Sequence, residues 1–147
     1  MNRQLLDMNA SGMYVTILYG VLNRATREFQ FARAGHELPL ILNARREPVP
    51  LTFGPGQFLG IFPEPYLDEQ RITLPAGSLL VMFTDGVTEA RCPGGEMFGE
   101  ERLQAVLHAG QNPSAQAACE TVLAEVSTFS EYCAQGDDIT IIAVQVK

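Results

Sequence analysis

Two acidic segments at the ends of apolar runs are the part of this sequence best suited to chemistry. Asp85 follows the apolar run that ends at Phe83, and the pair Asp137-Asp138 precedes the last apolar run of the chain. A carboxylate where a buried strand meets a loop costs free energy unless something binds it. Carboxylate oxygens are the ligands that hard metal cations take. The two segments therefore predict a metal site with Asp85 and Asp137 as candidate ligands.

Each feature also has a purely structural interpretation, which the sequence leaves open. The dipeptide Asp85-Gly86 is typical of a turn, and Asp137-Asp138 suits the end of a loop before a strand. Against the turn, Asp85 lies in a denser polar cluster than a turn requires. His36, which follows a glycine, is a candidate ligand, a proton donor or a hydrogen-bonded loop residue, of which the last is the commonest. The polar neighbours of Asp85 are Thr84, Thr88 and Glu89.

One enzyme class is disfavoured by a single position. Phosphatases of the haloacid dehalogenase type place two aspartates, in the pattern Asp-x-Asp-Gly, at the end of a strand. Asp85 matches the second of them, which acts as the general acid, but Phe83 stands where the nucleophile belongs. Covalent catalysis cannot run without that carboxylate.

Composition narrows the remaining function classes. The 147 residues, 46% hydrophobic and 18% charged, predict one globular domain over residues 1–147. A net charge of -7 without a basic cluster argues against nucleic acid as a partner. No apolar run is long enough to span a membrane. Three cysteines without metal-ligand spacing indicate a reducing, cytoplasmic protein, with two of them on a helix as small buried thiols. They are Cys92 and, on the predicted helix, Cys119 and Cys133.

Hydrophobic periodicity predicts the elements of the first half of the chain. A helix ends near Gly12, and a strand over residues 14–22 follows it that is apolar enough to be buried on both faces. The alternating residues 28–34 complete a β-hairpin with that strand. A further strand covers residues 38–42, and a long Pro- and Gly-rich loop follows over residues 52–69.

The second half is predicted as strands, then helices, then a strand. Residues 71–74 and 78–83 form a strand pair around the turn at 75–77. One helix begins after Gly99 and ends at Gly110, and a second is capped by Asn112. The last strand covers residues 139–146. This order predicts an α+β fold with largely antiparallel sheet.

Several motifs become specific when they are taken together and in order. The chain closely resembles the bacterial SpoIIE-like branch of the metal-dependent (protein phosphatase 2C type, or PPM) serine/threonine phosphatases. The resemblance runs from about Leu5 to the C-terminus. The residues that carry it are Tyr14-Val15-Thr16-Ile17, Ala32-Arg33-Ala34-Gly35-His36-Glu37-Leu38-Pro39, Phe58-Leu59-Gly60-Ile61, Phe83-Thr84-Asp85-Gly86-Val87-Thr88-Glu89-Ala90, Gly95-Glu96-Met97-Phe98-Gly99-Glu100-Glu101-Arg102-Leu103 and Asp137-Asp138-Ile139-Thr140.

The resemblance implies a fold, a reaction and a set of site residues. The fold is a largely antiparallel β-sandwich with flanking helices, and two Mn²⁺ or Mg²⁺ ions activate a water that attacks a phosphoserine or phosphothreonine. Asp85 and Asp137 match the catalytic, metal-ligating aspartates, and Asp138 is expected to support a metal-bound water or to orient a ligand. The implied partner is a phosphorylated regulatory protein of signal transduction, an anti-sigma-factor antagonist. Other residues expected to support the site are Thr84, Gly86, Glu89, His36 and Thr140.

One family motif has no counterpart. Asp-x-Ser-Gly-x-Gly supplies the carboxylate that bridges both metals, and neither Asp7 nor Asp68 has its context. We therefore expect the C-terminal part of an N-terminally truncated domain, with an incomplete metal site and impaired hydrolysis. The alternative is a non-catalytic module that binds a phosphoprotein in a partner-switching pathway. Exposed sheet edges lead us to expect self-association.

Overall fold

The structure, a computed structural model, describes residues 1–9, 12–110, 114–131, 133 and 136–147. Contacts within the chain divide it into two units, which are described separately. The first unit is Met1–Leu38 with Leu51–Leu74, and the second is Pro39–Pro50 with Pro75–Lys147. One domain over residues 1–147 stays a prediction.

The described residues form four helices and six strands. Their order is α1 (Asn2–Met8), β1 (Ile17–Asn23), β2 (Glu28–Ala34), β3 (Leu40–Leu42), β4 (Asp68–Thr73), β5 (Leu79–Phe83), α2 (Asp85–Thr88), α3 (Gly99–Ala109), α4 (Ala115–Phe129) and β6 (Ile141–Gln145). All strand pairs between them are antiparallel, so the predicted α+β class with antiparallel sheet is confirmed. No helix in the described part of the chain is long and apolar enough to cross a membrane.

The first unit contains a three-stranded sheet in the order β1-β2-β4. The predicted hairpin is confirmed, since β1 and β2 pair with Gly20 opposite Phe31. The alternation in β2 is also confirmed, because Phe29 and Phe31 are buried while Gln30 between them is exposed. This alternation puts every second residue of β2 into the core of the unit.

The prediction that the first strand is buried on both faces is wrong. Tyr19 is 66% exposed and Val21 is 55% exposed. Among the described strands β1 pairs only with β2, so it is an edge strand, and one of its faces is open. Apolar residues on an edge strand produce the same sequence pattern as a strand buried on both faces.

The predicted strand pair around residues 75–77 is also wrong. The strand before the turn, β4, pairs with β2, and the strand after it, β5, pairs with β3 and β6. The Ser78 N–H does bond to the Pro75 carbonyl, as a turn requires. The Gly77 N–H, however, bonds to the Val146 carbonyl. The chain leaving the turn thus pairs with the C-terminal segment, and the turn joins strands of two different sheets.

The second unit places helices α3 and α4 with a sheet of order β3-β5-β6. Its central strand β5 is buried on both faces, with Leu79, Leu80 and Val81 at most 1% exposed. Helices α3 and α4 contribute buried side chains spaced four residues apart. The core consists of Leu40, Leu42, Leu79, Val81, Phe83, Val87, Phe98, Leu103, Leu107, Ala118, Val122 and Val126.

The helix ends largely follow the sequence. Helix α3 begins at Gly99, carries two glutamates in its first turn and ends before Gly110. The predicted cap of α4, Asn112, lies outside the described residues. In the structure Ser114 caps α4, and its hydroxyl accepts a hydrogen bond from the Ala117 N–H at 3.1 Å.

Candidate metal-binding site

Thr84 holds the two acidic segments together. This residue directly follows β5, and its N–H donates to the Thr140 carbonyl at 3.1 Å. Its hydroxyl donates to the Asp138 carbonyl at 3.0 Å and accepts from the Thr140 N–H, also at 3.0 Å. Segments more than fifty residues apart in sequence are thereby fixed side by side. Thr84 and Thr140, which were expected to support the site, lie where the two segments meet, and their role at a metal site stays a prediction.

Gly86 is needed because the two segments approach too closely for a side chain. A Cβ atom on Gly86 would lie 3.0 Å from the Asp138 carbonyl carbon and 3.2 Å from the Asp137 carbonyl oxygen, and closer still to the Asp138 carbonyl oxygen. These neighbours are backbone atoms, which cannot rotate away. The glycine after Asp85 therefore serves a close backbone contact and is not part of a hairpin turn.

Replacing Gly86 with alanine is expected to push residues 137–138 away from α2. Because the obstacle is backbone, the change should lower the free energy of unfolding by about 1–3 kcal/mol, as overpacking does. Denaturant unfolding followed by circular dichroism measures this loss. Gly94→Ala is the matched control, since a Cβ there meets only the Cys92 sulfur, at 3.7 Å. Equal stability of the two variants would contradict the close-contact argument.

Asp85 occupies the first position of a four-residue helix. Its carbonyl accepts hydrogen bonds from the Glu89 N–H at 2.7 Å and the Thr88 hydroxyl at 3.2 Å. Val87 in the same turn is completely buried in the core of the second unit and anchors the helix. The Asp85 side chain is exposed. Helix α2 thus exposes the Asp85 carboxylate at the surface while Val87 packs the helix against the core.

Asp137 and Asp138 form the second acidic segment. The Asp138 N–H donates to Oδ1 of Asp137 at 2.7 Å, which orients the Asp137 carboxylate. Both residues are exposed. The Asp138 carbonyl is the acceptor of the Thr84 hydroxyl, so its backbone already has a structural role.

The available metal ligands are of the type that a hard cation prefers, but they are few. Asp85, Asp137 and Asp138 offer carboxylate oxygens at one edge of the second unit, and such oxygens suit Mn²⁺ and Mg²⁺. Within the described ranges, however, no group of three or more His, Cys, Asp or Glu residues is arranged to hold a metal ion. If a cation were bound here, these residues would supply only part of its coordination sphere.

His36 belongs to the first unit and has clear structural bonds. Its Nδ1 shares a hydrogen bond of 3.1 Å with the Thr16 hydroxyl, and its carbonyl accepts from Arg33. This is the hydrogen-bonded loop residue that the sequence allowed. A role for His36 in supporting a metal site stays a prediction.

The sequence reasoning missed a buried ion pair in the first unit. Nε of Arg33 lies 3.0 Å from Oδ2 of Asp68, and both side chains are 5% exposed. The same guanidinium donates to the carbonyls of His36 at 2.9 Å and Gly54 at 2.7 Å, and it lies 4.7 Å from the ring centre of Phe53. The signal was present, because the alternation of β2 puts Arg33 on the same face as the buried Phe29 and Phe31.

None of the three cysteines belongs to a group of three or more potential metal ligands among the described residues. All are free and half-buried. Burial raises the pKa of the Cys119 thiol, partly offset by a backbone hydrogen bond from Ala143, so Cys119 stays protonated near neutral pH. Cys119 lies on α4 as expected, whereas Cys133 comes after the end of that helix at Phe129.

Comparison with known proteins gives a family and a fold. The family described as stage II sporulation protein E (SpoIIE) matches residues 1–147. Protein IcfG of Synechocystis sp. is 31% identical over 132 residues, which are 90% of this chain and 20% of IcfG. Phosphoserine phosphatase RsbU of Bacillus subtilis is 25% identical over 147 residues, which are 100% of this chain and 43% of RsbU. The chain spans less than half the length of these curated relatives.

Solved phosphatase domains share the fold. The phosphatase domain of the cell fate determinant SpoIIE from Bacillus subtilis (Mn presoaked) matches with a TM-score of 0.70 and 17% identity, over 90% of this chain and 56% of that one. A structure of the PP2C phosphatase domain with a fragment of the regulatory domain of the same determinant gives a TM-score of 0.79 and 19% identity, over 98% and 42%. The fold expected from the resemblance is confirmed, and the match covers part of each solved chain.

Proposed function

The chain belongs to the SpoIIE family, and from this membership we propose that it forms part of a metal-dependent phosphatase. The substrate would be a phosphoserine or phosphothreonine of a regulatory protein in a partner-switching pathway. The observation that carries the proposal is the set of Thr84 hydrogen bonds, which fixes Asp85 and Asp137 at one exposed edge. The relative RsbU, named a phosphoserine phosphatase, supports the substrate class.

The side chains at this edge divide into ligands and supports. Asp85 and Asp137 would hold Mn²⁺ or Mg²⁺, and when bound such ions supply an activated water for attack on phosphorus. The Asp138 N–H keeps the Asp137 carboxylate oriented. Thr84, Gly86 and the packed helix α2 keep the two carboxylates in a fixed relation. The residues of this chain would thus bind the metal ions and orient the carboxylates that hold them.

We further propose that these 147 residues alone bind metal weakly and turn over little substrate. The carboxylates at the described edge are too few to complete two coordination spheres. In that state the same surface would act as a phosphoprotein-binding module without hydrolysis. The free cysteines suit a reducing cytoplasm. The open edge and face of β1 should produce self-association, which light scattering at micromolar concentration measures.

Mn²⁺ binding tests the ligand assignment. We expect the chain to bind Mn²⁺ with Kd on the order of 10⁻⁴ M or weaker. Asp85→Asn and Asp137→Asn should each raise Kd about tenfold or more, because each removes a charged ligand. Electron paramagnetic resonance of free Mn²⁺ follows the titration. Asp7→Asn is the matched control, an exposed aspartate on α1 in the first unit, and it should leave Kd unchanged.

A phosphoserine peptide provides the complementary measurement. Release of phosphate from the peptide by the chain in Mn²⁺ should be barely above background. Rapid turnover that Asp85→Asn abolishes would support the phosphatase and overturn the proposed impairment. Mn²⁺ affinity that neither aspartate variant changes would contradict the site itself.

A further inference from the structure

The second unit contains a groove of about 880 Å³. The C-terminal half of α4, the end of α2 and the segment around Asp137 line it. Gly86 and Asp137 are among the lining residues, so the groove is continuous with the candidate metal-binding site.

The size of this groove indicates a ligand larger than a phosphoryl group. Pockets of 300–1,000 Å³ typically hold molecules of drug size, which correspond to a few residues of polypeptide. Part of the lining is apolar, with Leu123 on α4, Val126 one turn later and Ile139 before β6. Leu123 is 46% exposed and is therefore available to a bound chain. The groove thus suits a short peptide segment with aliphatic groups against its floor.

The charges around the groove are mainly negative. Glu89, Glu131 and Asp137 line it, and Arg91 is the one cation among its described lining residues. The Arg91 guanidinium is partly engaged, since Nη1 donates to the Gly95 carbonyl at 2.9 Å. Helix α4 ends beside the groove without a basic residue in its last turn, so its C-terminal carbonyls add partial negative charge. A basic side chain would be attracted here.

On the basis of the proposed function, we propose that this groove binds the polypeptide segment next to the phosphoserine and selects substrates with a lysine or arginine there. Metal ions at Asp137 would take the phosphoryl group, which leaves Glu131 and Glu89 to contact the basic side chain. Glu131 is the specificity-determining residue, because it is exposed just after the end of α4 and lines the groove without being one of the proposed metal ligands.

Matched phosphopeptides test this selectivity by binding alone. Two fluorescent phosphoserine peptides differ only in carrying two lysines or two glutamates beside the phosphoserine, and anisotropy in Mn²⁺ gives their affinities. The lysine peptide should bind about three- to tenfold more tightly, as expected for partly exposed charge pairs. Glu131→Lys should reduce that ratio at least threefold. Glu125→Lys is the matched control, an exposed glutamate of α4 outside the groove lining, and it should keep the ratio.

The outcomes separate the two levels of the proposal. Equal affinity for the lysine and glutamate peptides, or an equal effect of Glu125→Lys and Glu131→Lys, would overturn the selectivity of the groove. Unphosphorylated peptides of the same two sequences test the proposed function independently. If they bind as tightly as the phosphopeptides, the phosphoserine assignment fails, although a lysine preference lost in Glu131→Lys would still support the groove.

Discussion

Replacing Arg33 with alanine is expected to lower the free energy of unfolding by about 3–5 kcal/mol. The substitution leaves the Asp68 carboxylate, 5% exposed, without its cation. It also removes the donors to the His36 and Gly54 carbonyls. A buried charge without a partner costs more free energy than the attraction within the pair contributes. Removing only one of the two charges is therefore more destabilising than removing both. Denaturant unfolding followed by circular dichroism measures the loss, because the chain has no tryptophan.

Two variants make that result interpretable. Arg71→Ala removes an exposed arginine of the same sheet, 3.8 Å from Glu28, and should cost less than about 0.5 kcal/mol. Arg33→Met combined with Asp68→Leu removes both charges and should recover much of the loss. A loss for Arg33→Ala no larger than that for Arg71→Ala would show that the buried pair contributes little.

Replacing Phe98 with alanine is expected to lower the free energy of unfolding by about 3–5 kcal/mol as well. Phe98 is 3% exposed and lies edge-on to the Phe129 ring at 5.4 Å. Its N–H donates to the Ala90 carbonyl at 2.8 Å, which joins the start of α3 to the residues that follow α2. The cavity would therefore open beside the segment that positions Asp85, and Mn²⁺ affinity should fall with stability.

The neighbouring side chain provides the control. Met97 is 41% exposed, and its substitution by alanine should cost less than about 1 kcal/mol. Phe98→Leu keeps most of the apolar volume and should lose clearly less than Phe98→Ala. If Phe98→Ala weakened Mn²⁺ binding without lowering stability, the packing explanation would be wrong.

Local patterns predicted the parts of the fold that depend on neighbours in sequence. The hairpin of β1 and β2 follows from alternation and an intervening polar turn. The start of α3 follows from Gly99 and the glutamates after it. Asp85 and Asp137 could be selected because each lies at the boundary of an apolar run, where a carboxylate is unusual.

Contacts between residues far apart in sequence could not be predicted from local patterns. Arg33 and Asp68 are 35 residues apart, and the sequence around either residue does not predict that it pairs with the other. The pairing of β4 with β2 and of β5 with β3 and β6 depends on which sheet each strand joins. The exposure of β1 has the same origin, because an apolar strand is buried on both faces only when neighbours cover both.

The sequence by itself determined the chemistry available to this protein, namely carboxylates at strand ends, a negative net charge and the ordered motifs of a phosphatase family. Only the tertiary structure decided how close those groups come. The Thr84 hydrogen bonds and the absence of a Cβ at Gly86 bring Asp85 beside Asp137-Asp138 across more than fifty residues. The sequence specifies the type of each side chain directly. The distance between two residues that are remote in sequence depends on how the chain packs around them.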